Sequence, residues 1–227
     1  MFTKEATLGI TDKHIHYIDN HIGVHHQMLD AWKALQQSAL DDGITLAIVS
    51  GFRNFDRQLR IWNKKCLGQI TVLDKYEKPI DITSLNDVDK IKSIMLFSAL
   101  PGASRHHWGT DIDVYAPNML APDYQLKLQV CEYEKNGPLC ELNKWLAENI
   151  EQFGFYRPYD KYRQGVFLEP WHLSYQPLAS QFEKILTVDL LTEQLKTAEI
   201  EVRESILTNI EQLFSQFVTN IKGYPHG

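Results

Sequence analysis

The sequence predicts an α+β fold, on three observations. Stretches with apolar residues at helical spacing are mixed with short β-branched runs. Their order along the chain does not follow a strict strand–helix–strand alternation, which disfavours a doubly wound sheet. Beyond about residue 176 the pattern is helical and carries no cluster of chemically active side chains.

The elements follow in order. Residues 24–42 read as a helix with Met28, Leu29, Trp32, Leu35 and Ala39 on one side and Gly43 as its stop. The run ITLAIV, 44–49, is short, apolar and β-branched, as a buried strand is. Helical spacing returns at 54–67 through Leu59, Ile61 and Trp62, and Asp87 is placed to cap a helix running to about residue 99. Pro101-Gly102 ends it. Residues 110–115 (TDIDVY) alternate, so Asp111, Asp113 and Tyr115 share one strand face, with the two carboxylates about 7 Å apart. A helix over 139–153 buries Leu142, Trp145, Leu146 and Ile150 and stops at Gly154; 166–168 and 173–175 read as strand pieces around Pro170. From 178 to about 221 the chain is helical, and the apolar stripe over 190–217 reads as core. The division expected is a domain over 1–175 with a helical extension, 176–227, packed on it.

Bulk properties narrow the function. A chain of 227 residues buries a real core in one domain with a small appendage. The net charge of −6 gives no electrostatic basis for nucleic acid or an anionic membrane as main partner. Three cysteines, Cys66, Cys131 and Cys140, are too few for a disulfide scaffold; free thiols are expected, with a Cys131–Cys140 bridge as the alternative. The opening MFTKEATLGITDKHIHYIDN lacks the basic start and apolar run of a signal peptide, and no stretch approaches the length of a membrane span. As given, the chain reads as cytoplasmic; a missing leader would place it in the periplasm or cell envelope.

Two segments bring together the residue types that hold a catalytic zinc, which takes three protein ligands and keeps a fourth position for water. The first is Ser104-Arg105-His106-His107-Trp108-Gly109-Thr110-Asp111-Ile112-Asp113, a loop running into the alternating strand. The second is Glu169-Pro170-Trp171-His172, a carboxylate three residues before a histidine, where a general base beside a metal belongs. The helical H-E-x-x-H motif is absent. At this level Asp111 and Asp113 are both candidate ligands, and each histidine taken singly is as well explained by packing.

The spacing Ser104-x-His106-x-x-Gly109-x-x-x-Asp113, followed by Glu169-x-x-His172, resembles the zinc D-alanyl-D-alanine carboxypeptidase family (VanY-like), which includes the vancomycin-resistance carboxypeptidases. Ser50-Gly51-Phe52-Arg53-Asn54-Phe55-Asp56-Arg57-Gln58 resembles the same family's Ser-Gly-aromatic-Arg segment, with a Gln five residues after the Arg. The blocks stand in the family's order, and the resemblance covers roughly 31–175. It implies a compact zinc-peptidase fold, a small antiparallel sheet flanked by helices, and one zinc held by His106, Asp113 and His172. It departs at Asp111, where the family usually has a small residue; a carboxylate there can orient a ligand histidine.

The resemblance also implies roles. Glu169 is the general base, Arg53 stabilises the oxyanion, and Ser104, Gln58 and Arg53 hold the terminal carboxylate of a peptidoglycan stem peptide or muropeptide ending in D-Ala-D-Ala. Cleavage of an L,D bond and endopeptidase action are the enzymatic alternatives, and a zinc-containing cell-wall-binding module is the non-enzymatic one. His14, His16, His21, His25 and His26 crowd the N-terminal region, with His21 and His25 at the i,i+4 spacing of a shared helix face, but no carboxylate or cysteine completes a second metal motif there. His107 has no assigned role, and Trp108 and Trp171 are expected to shield the metal by packing.

Overall fold

Alternation along 111–115 sets the architecture. Ile112 and Val114 are fully buried in a hydrophobic cluster on one side of the strand, while Asp111 and Asp113 face the other. The computed structural model describes residues 2–18 and 21–224. Its strands are β1 (Ile15–Tyr17), β2 (Gly23–His25), β3 (Ala47–Ser50), β4 (Val72–Leu73), β5 (Pro79–Ile80), β6 (Asp111–Tyr115), β7 (Phe155–Tyr156) and β8 (His172–Tyr175). Four of them form an antiparallel sheet in the order β3-β6-β8-β7; β1 with β2 and β4 with β5 form separate two-stranded pairs. The fold is α+β with small antiparallel sheets flanked by helices, as the sequence predicts.

The hydrophobic core falls into two clusters, one of which includes the main sheet. Helices Leu29–Asp41 and Cys140–Asn149 supply Trp32, Leu35, Leu142 and Leu146 to one cluster with Ile112, Val114 and Leu173. The second cluster joins Trp62 of helix Phe55–Cys66, Ile91 and Met95 of helix Asp87–Met95, Trp108, and Phe182 of helix Gln176–Ile185. Leu191 and Leu195 of helix Val188–Thr197 and Ile206 of helix Arg203–Thr208 complete it. Polar contacts fasten the same junction: Asn63 Nδ2 donates to the Glu199 carbonyl at 2.8 Å, and Ser205 Oγ donates to Asp87 Oδ2 at 2.8 Å. Residues 225–227 of the expected extension lie outside the described residues.

Several boundaries differ from the sequence expectation, each for a tertiary reason. The helix expected over 24–42 starts at Leu29, because 23–25 pairs with β1, and the His25 amide donates to the Gly109 carbonyl at 2.8 Å. His21 and His25 therefore do not share a helix face. Asn86, not Asp87, caps its helix: the Asn86 backbone is extended and its side chain accepts from the Asp89 amide at 3.0 Å. Residues 166–168 form no strand; the Phe167 amide donates to the Leu96 carbonyl at 2.9 Å instead of joining a sheet. The helical tail is broken into short helices, with Thr187 capping one of them. All three cysteines are free thiols; burial pushes Cys66 up to about 12.

Removal of 176–227 is expected to abolish folding. It strips Phe182, Leu191, Leu195, Ile206, Phe214 and Phe217 from a shared core. At about 1.5–3 kcal/mol for each buried apolar side chain, the loss is as large as the roughly 5–15 kcal/mol by which a domain is stable. Circular dichroism of a 1–175 fragment checks this; a cooperative thermal transition in the fragment would show the tail to be dispensable.

Candidate metal centre and peptide cleft

His106 sits in a 3₁₀ turn, Arg105–Trp108, between the Pro101-Gly102 corner and β6. The turn closes on Gly109 at φ +67°, where an added Cβ would meet Ile15 Cδ1 at 2.4 Å and the His25 nitrogen at 2.8 Å. Only glycine lets the chain turn into β6 here. Antiparallel pairing then sets Asp113 opposite His172 of β8 and, on its other flank, opposite Ser50 of β3. Backbone hydrogen bonding thus brings the second strand's histidine and the Ser50–Arg53 segment to the same aspartate.

The donors are spaced for a small dication. His106 Nε2 lies 3.3 Å from Asp113 Oδ2, and His172 Nδ1 lies 3.1 Å from Asp113 Oδ1. Ligands about 2.0–2.1 Å from a tetrahedral centre stand roughly 3.3 Å apart, so these separations match. One donor atom from each of His106, Asp113 and His172 falls within 4.8 Å of the others, the one such group among the described residues. The far side of each imidazole is engaged as well. His106 Nδ1 donates to the Gly51 carbonyl at 3.0 Å, and His172 Nε2 lies 3.1 Å from Asp111 Oδ1. Each ring keeps its other nitrogen for an ion, the tautomers a metal site requires. Donor types, spacing and tautomers fit zinc.

Asp111 lies outside the donor group and orients His172 from behind. It is held in turn by Arg105, a buried residue that sequence reading passed over. Arg105 Nε donates to Asp111 Oδ1 at 2.6 Å, Nη1 to Glu183 at 2.7 Å, and Nη2 to Ser174 Oγ at 2.8 Å and the Tyr156 hydroxyl at 3.2 Å. Its guanidinium also stacks 4.7 Å above the Trp108 ring. Thr110 Oγ1 donates to the second Asp111 oxygen at 2.7 Å.

Electrostatics follow from burial against pairing. Burial alone would raise the Asp111 and Asp113 carboxyls, but Arg105 at the first and His106 at the second, with His172 at both, hold them well below the usual carboxylate range. Burial would lower His172, yet the same two aspartates raise it to about 10. Glu169, with Oε2 3.5 Å from His172 Nδ1, is pushed up to about 8 chiefly by burial. Burial lowers His106 as well.

A pH dependence follows with a definite sign. A ligand imidazole must be neutral, and without metal His172 holds its proton up to about pH 10. Metal uptake near pH 7 is therefore expected to expel the His172 proton, and a second from Glu169 as the ion draws it into its carboxylate form, so affinity should rise at least tenfold per pH unit below about 8. Calorimetric titration in buffers of different ionisation enthalpy measures those protons; a buffer-independent heat would contradict it.

A cleft of about 280 Å³ opens beside the donors, lined by Arg53, Lys65, Ser104, Tyr159, Glu169 and Trp171 among others. Arg53 is desolvated, which lowers it despite Asp113 and Glu169, and its Nε has no partner among the described residues. Gln58 is placed differently from the sequence expectation. It is fully buried and not a wall of the cleft. Its Oε1 accepts from Arg53 Nη1 at 2.7 Å and its Nε2 donates to the Ala99 carbonyl at 2.7 Å. With both ends of the amide engaged, Gln58 orients Arg53 rather than reaching a substrate.

The remaining candidates are structural. His107 is buried and neutral, lowered to about 3 by burial; its Nδ1 donates to the Arg53 carbonyl at 2.6 Å and its Nε2 accepts from the Gly102 amide at 3.0 Å. Trp108 donates to the Thr7 carbonyl and stacks on Phe182. Trp171 is buried against Tyr133 and borders the cleft. His14 and His25 are packed among Phe2, Phe52 and Phe182 and are lowered by burial to about 4 and about 3. Tyr159, its ring 4.9 Å from that of His172, and Lys65 gave no sequence signal, because neither belongs to a motif block.

Comparisons with known proteins bear on the family and the fold. A family profile described as VanY, D-alanyl-D-alanine carboxypeptidase, matches residues 21–178, well over half of the chain. An uncharacterized protein of Haemophilus influenzae is 36% identical over 121 residues, covering 52% of this chain and 92% of its own. The chain spans about half the length of the other curated relatives it matches. Two solved structures share the fold at 22% identity. One is VanYB in complex with D-alanine-D-alanine, with TM-score 0.53 over 82% of this chain and 89% of that one. The other is a mutant of the vancomycin-resistance D,D-pentapeptidase VanY in complex with Zn(II), with TM-score 0.51 over 80% and 92%.

Proposed function

The chain belongs to the VanY D-alanyl-D-alanine carboxypeptidase family, and on that premise we propose that it is a zinc-dependent carboxypeptidase removing the terminal D-alanine from peptidoglycan stem peptides. Membership makes it a peptidase of the VanY class; the bond cut, the single zinc and the residue roles are the proposal. The observation that carries it is one cleft holding three metal donors, a carboxylate 3.5 Å from one of them, and a desolvated arginine.

In this reading His106, Asp113 and His172 hold the ion. When bound, zinc acidifies water and polarises the scissile carbonyl. Glu169 takes the proton from the attacking water and returns it to the leaving amine. A dication beside it favours its carboxylate form and offsets the burial that raises it without metal. Arg53, aimed by Gln58 and Ser50, faces the charge that develops on the carbonyl oxygen. Ser104, buried at the cleft wall before the His106 turn, donates to the terminal carboxylate. Residues 1–175 supply all these groups, and 176–227 is a helical extension whose Glu183 supports Arg105.

Mass spectrometry of muropeptides treated with the zinc-loaded protein tests the reading. Loss of one alanine from a pentapeptide supports it. Loss of alanine from a tetrapeptide alone assigns L,D cleavage, and cutting within a cross-link assigns an endopeptidase. Zinc and muropeptide binding without turnover would leave a wall-binding module.

A further inference from the structure

Two segments far apart in sequence border the cleft: the β4–β5 turn, with Val72, Leu73 and Glu77, and a loop carrying Lys127 and Leu128. Glu77 Oε1 accepts from the Val130 amide at 2.7 Å and joins them. Among the described residues this is the one hydrogen bond between 71–80 and 124–133.

Each segment is otherwise built by itself. In the turn, Asp74 Oδ1 accepts from the Tyr76 amide at 2.8 Å and from the Lys78 amide at 2.9 Å. In the loop, buried Glu132 accepts from the Lys127 amide at 3.0 Å and from the Gln129 amide at 2.8 Å. Their apolar side chains go to different cores. Val72 and Ile80 pack with the cluster that holds Trp62, whereas Leu128, Val130 and Tyr133 pack with the cluster of the main sheet. Glu77 at φ +57° and Leu128 at φ +54° are left-handed, a path that a residue with a side chain keeps only when its surroundings fix it. Two walls, each fixed within itself and seated on its own core, thus meet through a single bond. A charge-assisted bond at a partly buried rim biases such a pair toward contact and still lets it open.

The state of that rim decides what fits. At about 280 Å³ the cleft lies just below the roughly 300–1,000 Å³ usual for ligand sites. When a pentapeptide is cut at its last bond, its third residue stands within two residue lengths of the scissile carbonyl, at most about 7 Å of chain. A branch on that residue has to pass the rim. Resting on the peptidase reading above, we propose that the Glu77–Val130 hydrogen bond clasps the rim and makes Glu77 a specificity-determining residue. With the clasp closed the cleft takes unbranched stem peptides and excludes stems already joined to a second stem through the third residue. Glu77 touches no reacting atom and acts by holding the two walls together.

The test compares zinc-loaded wild type, Glu77→Ala and Glu77→Gln on two pentapeptides ending in the same free D-alanine. One is unbranched; the other carries a second stem as an amide on the side-chain amine of its third residue. Both lose one alanine when cut, so mass spectrometry reads the same bond in each. The wild type is expected to favour the unbranched peptide by roughly 10- to 100-fold in kcat/KM, the bias one charge-assisted hydrogen bond gives a two-state rim. Glu77→Ala should remove most of that preference by gaining on the branched peptide, while its rate on the unbranched one changes by less than about threefold. Glu77→Gln keeps an acceptor oxygen and should hold more of the preference than Glu77→Ala. Hydrogen exchange reads the clasp directly: the Val130 amide should exchange faster in Glu77→Ala, with the Lys127 and Gln129 amides unchanged. Matching melting temperatures exclude unfolding as the cause. Equal wild-type rates on the two peptides, an unchanged preference in Glu77→Ala, or the same loss on both peptides would overturn the assignment. A wild type that cleaves neither peptide removes the peptidase reading, and the selection with it; a cleaving wild type without the preference removes only the clasp.

Discussion

Replacement of Glu169 by Gln is expected to lower turnover by roughly 10²- to 10⁴-fold while leaving metal uptake nearly intact. The carboxylate is buried at the mouth of the donor group, with Oε2 3.5 Å from His172 Nδ1, and lies outside that group. Glutamine keeps the shape but carries no charge and takes no proton. The fall should appear in kcat and kcat/KM alike, because the transfer is made only in the transition state. Stoichiometric zinc with lost turnover supports the base assignment. A variant that loses its zinc, or keeps most of its activity, contradicts it.

The second large effect concerns the support behind the metal. Replacing Arg105 by Ala should destabilise the metal-free protein by about 3–5 kcal/mol, the usual result when one partner of a buried ion pair is removed. Asp111 would stay fully buried with its charge opposed only by His172, and the Trp108 face would lose its stacked cation. Metal affinity should fall by about 10- to 100-fold, since His172 loses the fixed carboxylate that orients it. Chemical denaturation and a competitive zinc chelator measure the two effects separately. Wild-type stability in Arg105→Ala would mean that the network is not a unit.

What the sequence reveals and conceals has a physical basis in these residues. His106, Asp113, Glu169 and His172 stand in short segments punctuated by glycine and proline, where few backbone paths are open, and the structure gathers them into one cleft. Arg105 and Lys65 give no such sign. One looks like an ordinary loop arginine and the other like a basic residue at a helix end, and only tertiary burial distinguishes them. Gln58 shows the converse limit: residue type announces an amide, but where its donor and acceptor are engaged depends on Arg53 and Ala99, contacts no local pattern encodes. Helix starts shifted for the same reason, as at Leu29, where pairing of 23–25 overrides helical spacing.

The register that sets Asp113 opposite His172 joins strands separated by a long excursion of chain. In an unfolded chain His106 and Asp113 are near neighbours, but the third donor is distant, and bringing it in carries the entropy of closing that loop. The chelate exists only once β6 and β8 are zipped, so a dication discriminates strongly between folded and unfolded ensembles. Its binding energy accrues to the native state by mass action, and the melting temperature should climb with free zinc. Thermal resilience would then vary with the metal content of the surroundings, and a chelating environment would leave the sheet to stand on its hydrophobic cores alone.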